Sequence, residues 1–174
     1  MNSTMNVNSE AMEYKETKRP TPNLHDGRNE QKYLILHHTG SDYDSAVNWL
    51  TNPDASASAH VVIAKNGRRT ILAAPEKITW HAGVSEYEGH HNINPISIGV
   101  EFEGDTNKEP LTVEQLRSFL EYYSRRLSKS FHLRNDLSNL TDHRTIAPER
   151  KVDIHPEELA RVKAALRTYL EWIE

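Results

Sequence analysis

The chain contains no cysteine. That absence removes disulfides, thiolate nucleophiles and every cysteine-based zinc or iron site, so any metal has to be held by imidazole and carboxylate. A thiol-free chain survives in either redox setting, which leaves the compartment open on this ground. Long apolar runs are also missing: Leu34-Ile35-Leu36 and Val61-Val62-Ile63-Ala64 fall far short of the roughly 18–20 residues of a membrane span. Met1-Asn2-Ser3-Thr4-Met5-Asn6 has neither the basic start nor the apolar stretch of a secretory signal. A soluble cytoplasmic protein is the expectation, with a periplasmic or secreted one as the alternative. Positive charge is in short supply, since Lys+Arg 21 against Asp+Glu 25 gives −4 with no basic stripe. That balance argues against a nucleic-acid partner. The hydrophobic share, 36%, lies below the roughly 45–50% of ordinary domains. Residues 1–31 account for the deficit, with only scattered apolar residues such as Val7, Ala11 and Leu24 and no apolar period. They are expected to be a polar, flexible arm ahead of one domain over 32–174.

Lys32-Tyr33-Leu34-Ile35-Leu36-His37-His38-Thr39 is rich in β-formers and stops at Gly40-Ser41-Asp42, so it reads as a buried strand entering a loop. Alternation puts Tyr33, Ile35 and His37 on one face and Leu34, Leu36 and His38 on the other, so the two histidines cannot easily serve one site. Asp44 to Leu50 reads as a short helix that ends before Asn52-Pro53. The runs 59–64 and 69–73 flank Lys65-Asn66-Gly67-Arg68, and Asn-Gly predicts a tight hairpin whose central residues take positive φ. From Ile96 to Glu103 the pattern alternates, with Ser97, Gly99, Glu101 and Glu103 on one face, where the small neighbours leave space around Glu101. Thr112 with Gln115 forms a capping box ahead of Val113, Leu116, Phe119, Leu120, Tyr123 and Leu127 at helical spacing. A second helix starts at Pro156, with Leu159, Val162, Leu166, Leu170 and Ile173 as its buried stripe. The expected class is α/β, a single mixed β-sheet flanked by helices.

Ten histidines are many for this length, and imidazole is the commonest metal ligand. Taken singly, His37, His60, His81 and His143 read more readily as packed, hydrogen-bonded core residues than as ligands. The informative stretch is 142–153, irregular and polar, with His143, Lys151 and Asp153 at fixed offsets. A catalytic zinc wants three protein ligands and an open position, which His37, His143 and Asp153 would supply. Glu101 could then move the proton of the attacking water, and Lys151 could steady an oxyanion. The plainer readings are a solvated sheet-edge carboxylate and a surface lysine.

These residues resemble a known family, the zinc-dependent N-acetylmuramoyl-L-alanine amidases, which includes phage lysozyme-like amidases and peptidoglycan recognition proteins. The matching segments are Thr21-Pro22-Asn23 with Arg28, Leu36-His37-His38-Thr39, Ser58-Ala59-His60, Trp80-His81-Ala82-Gly83-Val84-Ser85, Asn94 with 97–104, and 143–153. The bacterial anhydromuropeptide amidases and their envelope relatives are the most similar subgroup. The resemblance implies Zn2+ held by His37, His143 and Asp153, Glu101 as general base and acid, and Lys151 supporting the transition state. It also implies that Trp80 and His81 lie near the cleft and that Asn94 hydrogen-bonds the peptide or sugar. Some relatives carry a catalytic tyrosine where this chain has Ala59, which moves proton transfer onto Glu101. The family usually follows the ligand Asp with Pro-Gly, whereas here Ile154-His155-Pro156 follows, so His155 competes as third ligand.

The implied activity is hydrolysis of the amide between N-acetylmuramic acid, or its anhydro form, and L-alanine of the stem peptide. Muropeptides or intact peptidoglycan would be the partners. A non-catalytic peptidoglycan-binding module and a zinc hydrolase of another amide are the rival readings.

Overall fold

The computed structural model describes residues 11–174. In chain order the strands and helices are β1 (Glu16–Lys18), β2 (Leu24–His25), β3 (Tyr33–His38), α1 (Tyr43–Leu50), β4 (Val61–Ile63), β5 (Arg69–Ile71), β6 (Ile78–Thr79), β7 (Glu86–Tyr87) and β8 (His90–His91). They continue with β9 (Ser97–Phe102), α2 (Val113–Tyr122), β10 (Leu140–Asp142), α3 (His143–Ile146) and α4 (Pro156–Ile173). Six strands form the main sheet in the order β1-β5-β4-β9-β3-β10. Its one antiparallel pair is the β4–β5 hairpin, and the other neighbours run parallel. The expected mixed α/β sheet flanked by helices is the observed architecture.

Alternation along β3 and β9 divides the interior. Leu34, Leu36, Ile98, Val100 and Phe102 face α2 and α4, whose Phe119, Val162 and Leu166 complete the main core. The opposite face is shared. Tyr43, Ala46, Val47 and Leu50 of α1 pack over Val62 and Leu72, while Ile93, Ala82 and Ile146 cover Tyr33 and Ile35. His37 and Glu101 emerge on this second face, between the two small clusters.

Local signals set several of these elements. Thr112 and Gln115 form the expected capping box at α2, Thr112 Oγ1 accepting from Gln115 N–H at 3.0 Å and Gln115 Oε1 accepting from Thr112 N–H at 3.0 Å. The apolar period of α2 breaks at a π-helical turn over Tyr123–Leu127; the wider turn rephases the helix, so both Tyr122 and Tyr123 are buried. Val113 and Ile173, expected on buried stripes, are 54% and 46% exposed because each sits at a helix end. The β4–β5 hairpin forms, but its turn differs from the expected one. Gly67 N–H bonds Ala64 C=O at 2.8 Å and only Gly67, at φ 88°, is left-handed, so a type I turn with a glycine bulge closes it.

The segment from residue 11 to residue 31 is not a loose arm. β1 pairs with β5, and β2 pairs with β6. Thr21, Asn23 and Asn29 are 4%, 2% and 2% exposed. Thr21 Oγ1 donates to Leu50 C=O, Asn23 Nδ2 to Asn52 and Ala57 C=O, and Asn29 Nδ2 to Lys77 and Ser97 C=O. Polar anchors hold this stretch, so no apolar period announced it. Residues 1–10 of the expected arm lie outside the described residues. No described helix is long and apolar enough to cross a membrane.

Candidate metal centre and active site

Strand register assembles the site. β3 and β9 place His37 against Glu101, so both side chains leave one face as neighbours. On the other side of β3, β10 sets Asp142 against Leu36, and the next residue, His143, therefore arrives beside His37. Asp142 caps α3, its Oδ1 accepting from Thr145 N–H at 2.9 Å, so His143 opens the first turn. The following loop returns Asp153 to the strand ends, where its Oδ2 accepts from His38 N–H at 3.3 Å and its C=O from Arg144 N–H at 2.6 Å.

Three ligand atoms converge as a result. His37 Nδ1 and His143 Nδ1 are 2.9 Å apart, and they lie 3.6 Å and 3.5 Å from the two Asp153 carboxylate oxygens. A tetrahedral zinc with bonds of about 2.0–2.2 Å has ligand-to-ligand edges of about 3.3–3.6 Å, so the spacing fits such an ion with a small adjustment. All three residues are buried. Burial, reinforced by the neighbouring His143, pushes His37 down to about 4, which keeps it in the neutral form that ligates. His143 Nε2 lies 3.0 Å from Ala82 C=O, a group that can only accept, so Nε2 carries the proton and the Nδ1 lone pair faces the other ligands. Two imidazoles and one carboxylate, with no thiolate, can hold a metal ion and leave a position open.

The competing His155 stands apart from this group. Its Nδ1 accepts from Glu157 N–H at 3.2 Å and caps α4, while Ile154 is fully buried in the main core and Pro156 occupies the first turn. The departure from Pro-Gly is thus the start of a helix. His38, as alternation predicts, turns away and sits with Nδ1 2.8 Å from Thr106 Oγ1.

Glu101 is 14% exposed at its side chain, with Oε1 4.0 Å from His37 Nδ1 and Oε2 buried without a hydrogen-bond partner among the described residues. Burial, and then the charge of Asp153, push its carboxyl well above 4.5 against the pull of Lys151. Lys151, half-buried on the returning loop, is near enough for its charge to act on both Glu101 and His37. The space expected beside Glu101 is filled on one side, because the His81 ring lies over Gly99, where an added Cβ would meet His81 Cγ at 2.4 Å.

The three residues expected near substrate are placed differently from one another. His81 is 6% exposed and lies behind His37, with both ring nitrogens paired. Asn94 Oδ1 accepts from His81 and Ala82 N–H at 3.1 and 2.8 Å, so it secures the wall of the site. Trp80 is half-buried, its ring 5.3 Å from that of His25 and its Nε1 without a hydrogen-bond partner among the described residues. Sequence reasoning missed Trp49, which is 54% exposed and lines a cavity of about 350 Å³ together with Glu101, Thr39 and Ser45. The signal was available: Tyr43, Ala46, Val47 and Leu50 make the buried stripe of α1, and Trp49 is the aromatic left outside it.

A mixed α/β domain that gathers two imidazoles and a carboxylate at its parallel strand ends, with a second carboxyl alongside whose affinity for a proton is raised by burial, has the layout of a mononuclear metallohydrolase. More narrowly, the chain belongs to the Amidase_2 family, N-acetylmuramoyl-L-alanine amidase, which it matches over residues 27–156. Among its relatives, the N-acetylmuramoyl-L-alanine amidase AmiD of Escherichia coli (strain K12) is 29% identical over 140 residues, 72% of this chain and 49% of the relative. The 1,6-anhydro-N-acetylmuramyl-L-alanine amidase AmpD of Citrobacter freundii is 36% identical over 108 residues, 62% of this chain and 56% of the relative. The chain spans about half the length of these curated relatives. The crystal structure of AmpDh3 from Pseudomonas aeruginosa in complex with anhydromuramic pentapeptide superposes with a TM-score of 0.61 at 26% identity, covering 93% of this chain and 67% of that one.

Proposed function

We propose that the protein is a zinc-dependent N-acetylmuramoyl-L-alanine amidase that cleaves the amide between the lactyl group of N-acetylmuramic acid, or its anhydro form, and L-alanine. The observation that carries this reading is the buried His37, His143 and Asp153 group beside Glu101. Relatives named for anhydromuramyl substrates, and a similar structure that holds an anhydromuramic pentapeptide, support small muropeptides as the substrate class. A zinc ion held by the three ligands supplies Lewis-acid polarisation of the scissile carbonyl and of the attacking water. Glu101 takes the proton from that water and delivers it to the departing amine nitrogen, a role suited to a carboxyl held above its ordinary range. Lys151 offers positive charge to the developing oxyanion. Ala59 is fully buried and contributes no hydroxyl, so proton transfer rests on Glu101. Trp49, exposed on the cavity that reaches Glu101, offers a face on which the sugar or the stem peptide can lie.

The test is Glu101→Gln assayed against a defined muropeptide beside the parent protein. The variant should retain its zinc while turnover falls about 10²–10⁴-fold. Unchanged turnover would remove Glu101 from the mechanism.

A further inference from the structure

We infer that His81 is a positioning residue that decides which nitrogen of His37 faces the metal, and that the dipeptide His81-Ala82 performs this service for both imidazole ligands at once. The inference rests on the metal-dependent reading above, and not on the identity of the substrate.

The argument follows single protons along a chain of hydrogen bonds. Ser97 Oγ donates its one proton to Ile93 C=O at 2.7 Å, so toward His81 Nε2, 2.8 Å away, it can only accept. His81 Nε2 therefore carries a proton. The His81 ring is enclosed among His37, His60 and Gly99, where a second proton would place an unpaired charge out of reach of water. His81 Nδ1 is then a bare acceptor, and His37 Nε2, 3.0 Å away, must be the donor. With its proton committed there, neutral His37 has only Nδ1 left as a lone pair, and that is the nitrogen facing His143 and Asp153. Ala82 does for His143 what His81 does for His37, since its C=O accepts the Nε2 proton at 3.0 Å. The same C=O also takes a hydrogen bond from Arg150 Nη2 at 2.9 Å.

Two further features read as parts of this bracket. Asn94 Oδ1 accepts from the backbone N–H of both His81 and Ala82, which fixes the dipeptide as a unit. Gly99 provides the floor, because any side chain there would strike the His81 ring. One segment in the sequence thus orients ligands that come from two distant ones, and removal of such outer partners lowers metal affinity about 10–100-fold.

The test reads zinc binding and ring protonation on the full chain, without using turnover. Long-range 1H–15N NMR of the zinc-loaded protein should find the His37 and His81 ring protons on Nε2. A proton on Nδ1 of His81, or on Nδ1 of His37, would overturn the inference. In competition titrations against a chelator, His81→Leu should lose about 10–100-fold in zinc affinity. His81→Asn keeps a carbonyl oxygen near the Nδ1 position and should recover most of that loss. Ser97→Ala removes the terminal acceptor and should weaken zinc as well, which keeps the inference testable should His81→Leu fail to fold. Parent-like affinity in both His81→Leu and Ser97→Ala would overturn it. If the amidase reading failed while these results held, the bracket would stand as a feature of the metal site alone.

Discussion

At the scale of single residues, His37 and His60 show how one side chain type divides into two roles. Both are buried, and both are pushed down to about 4 by that burial. His37 faces another imidazole and a carboxylate across 2.9 and 3.6 Å, and His37→Ala is expected to lose the metal while the protein stays folded. Metal analysis after dialysis checks this, and full zinc content in the variant would contradict the ligand assignment. His60 is committed to the fold: its Nδ1 accepts from Gly99 N–H at 3.0 Å and its Nε2 donates to Lys77 C=O at 2.8 Å. Because the folded protein binds a proton at His60 less readily than the unfolded chain, its contribution to stability is fully present above 6.5 and is lost as pH falls from 6.5 toward 4. Urea midpoints should drop across that window, and the drop should be smaller in His60→Asn. A variant that tracks the parent at every pH would contradict the assignment. From the sequence, strict strand alternation put His37 and His38 on opposite faces, and the choice of His37 as the ligand came from the resemblance. His60 and His81 were not separable from ligands, because the partners that claim their ring nitrogens come from other strands and loops.

At the scale of elements, β1 shows what a polar segment can hold. Arg69 on β5 is fully buried, and its Nε donates to Glu16 Oε2 at 2.7 Å while its Nη1 donates to Glu121 Oε1 at 2.9 Å. Glu16 also takes a hydrogen bond from Arg126 Nε at 2.9 Å. Burial alone would raise the Glu16 carboxyl, but the two guanidiniums outweigh it and hold it below 4.5. The ion pair thus stabilises the fold above pH 4.5, and that contribution fades as pH falls through the lowered value. Glu16→Ala leaves a buried guanidinium short of a partner and should cost about 3–5 kcal/mol in urea unfolding. A loss below about 1 kcal/mol, the size of an exposed pair, would show that the network is dispensable. Thr112→Ala should cost about 1 kcal/mol through loss of the α2 cap. The cap was legible because its signal lies within four residues of chain. The course of the segment from 16 to 31 was not legible, since its ion pairs and amide anchors join residues 29 to 110 positions apart.

At the scale of the whole molecule, the two faces of one sheet divide the work. The α2 and α4 face holds the largest apolar cluster, and the opposite face is left open between α1 and the wall built from residues 80–97. The candidate ligands meet there because three parallel neighbours, β9, β3 and β10, end together. Residue chemistry nominated His37, His143, Asp153 and Glu101 and the resemblance to other chains implied the same set, but no spacing in residues 37, 101, 143 and 153 encodes their convergence, which only the strand register supplies. The Ile154-His155-Pro156 departure links the two faces: Ile154 joins the main core and Pro156 opens α4, while Asp153 stays with the histidines. The measurement that bears most directly on the central claim is mass spectrometry of a defined anhydromuropeptide incubated with the zinc-loaded protein beside a chelated control. Release of a free stem peptide that begins with L-alanine, abolished by the chelator and restored by zinc, is the predicted result. An untouched muropeptide in the presence of folded protein with confirmed bound zinc would contradict it.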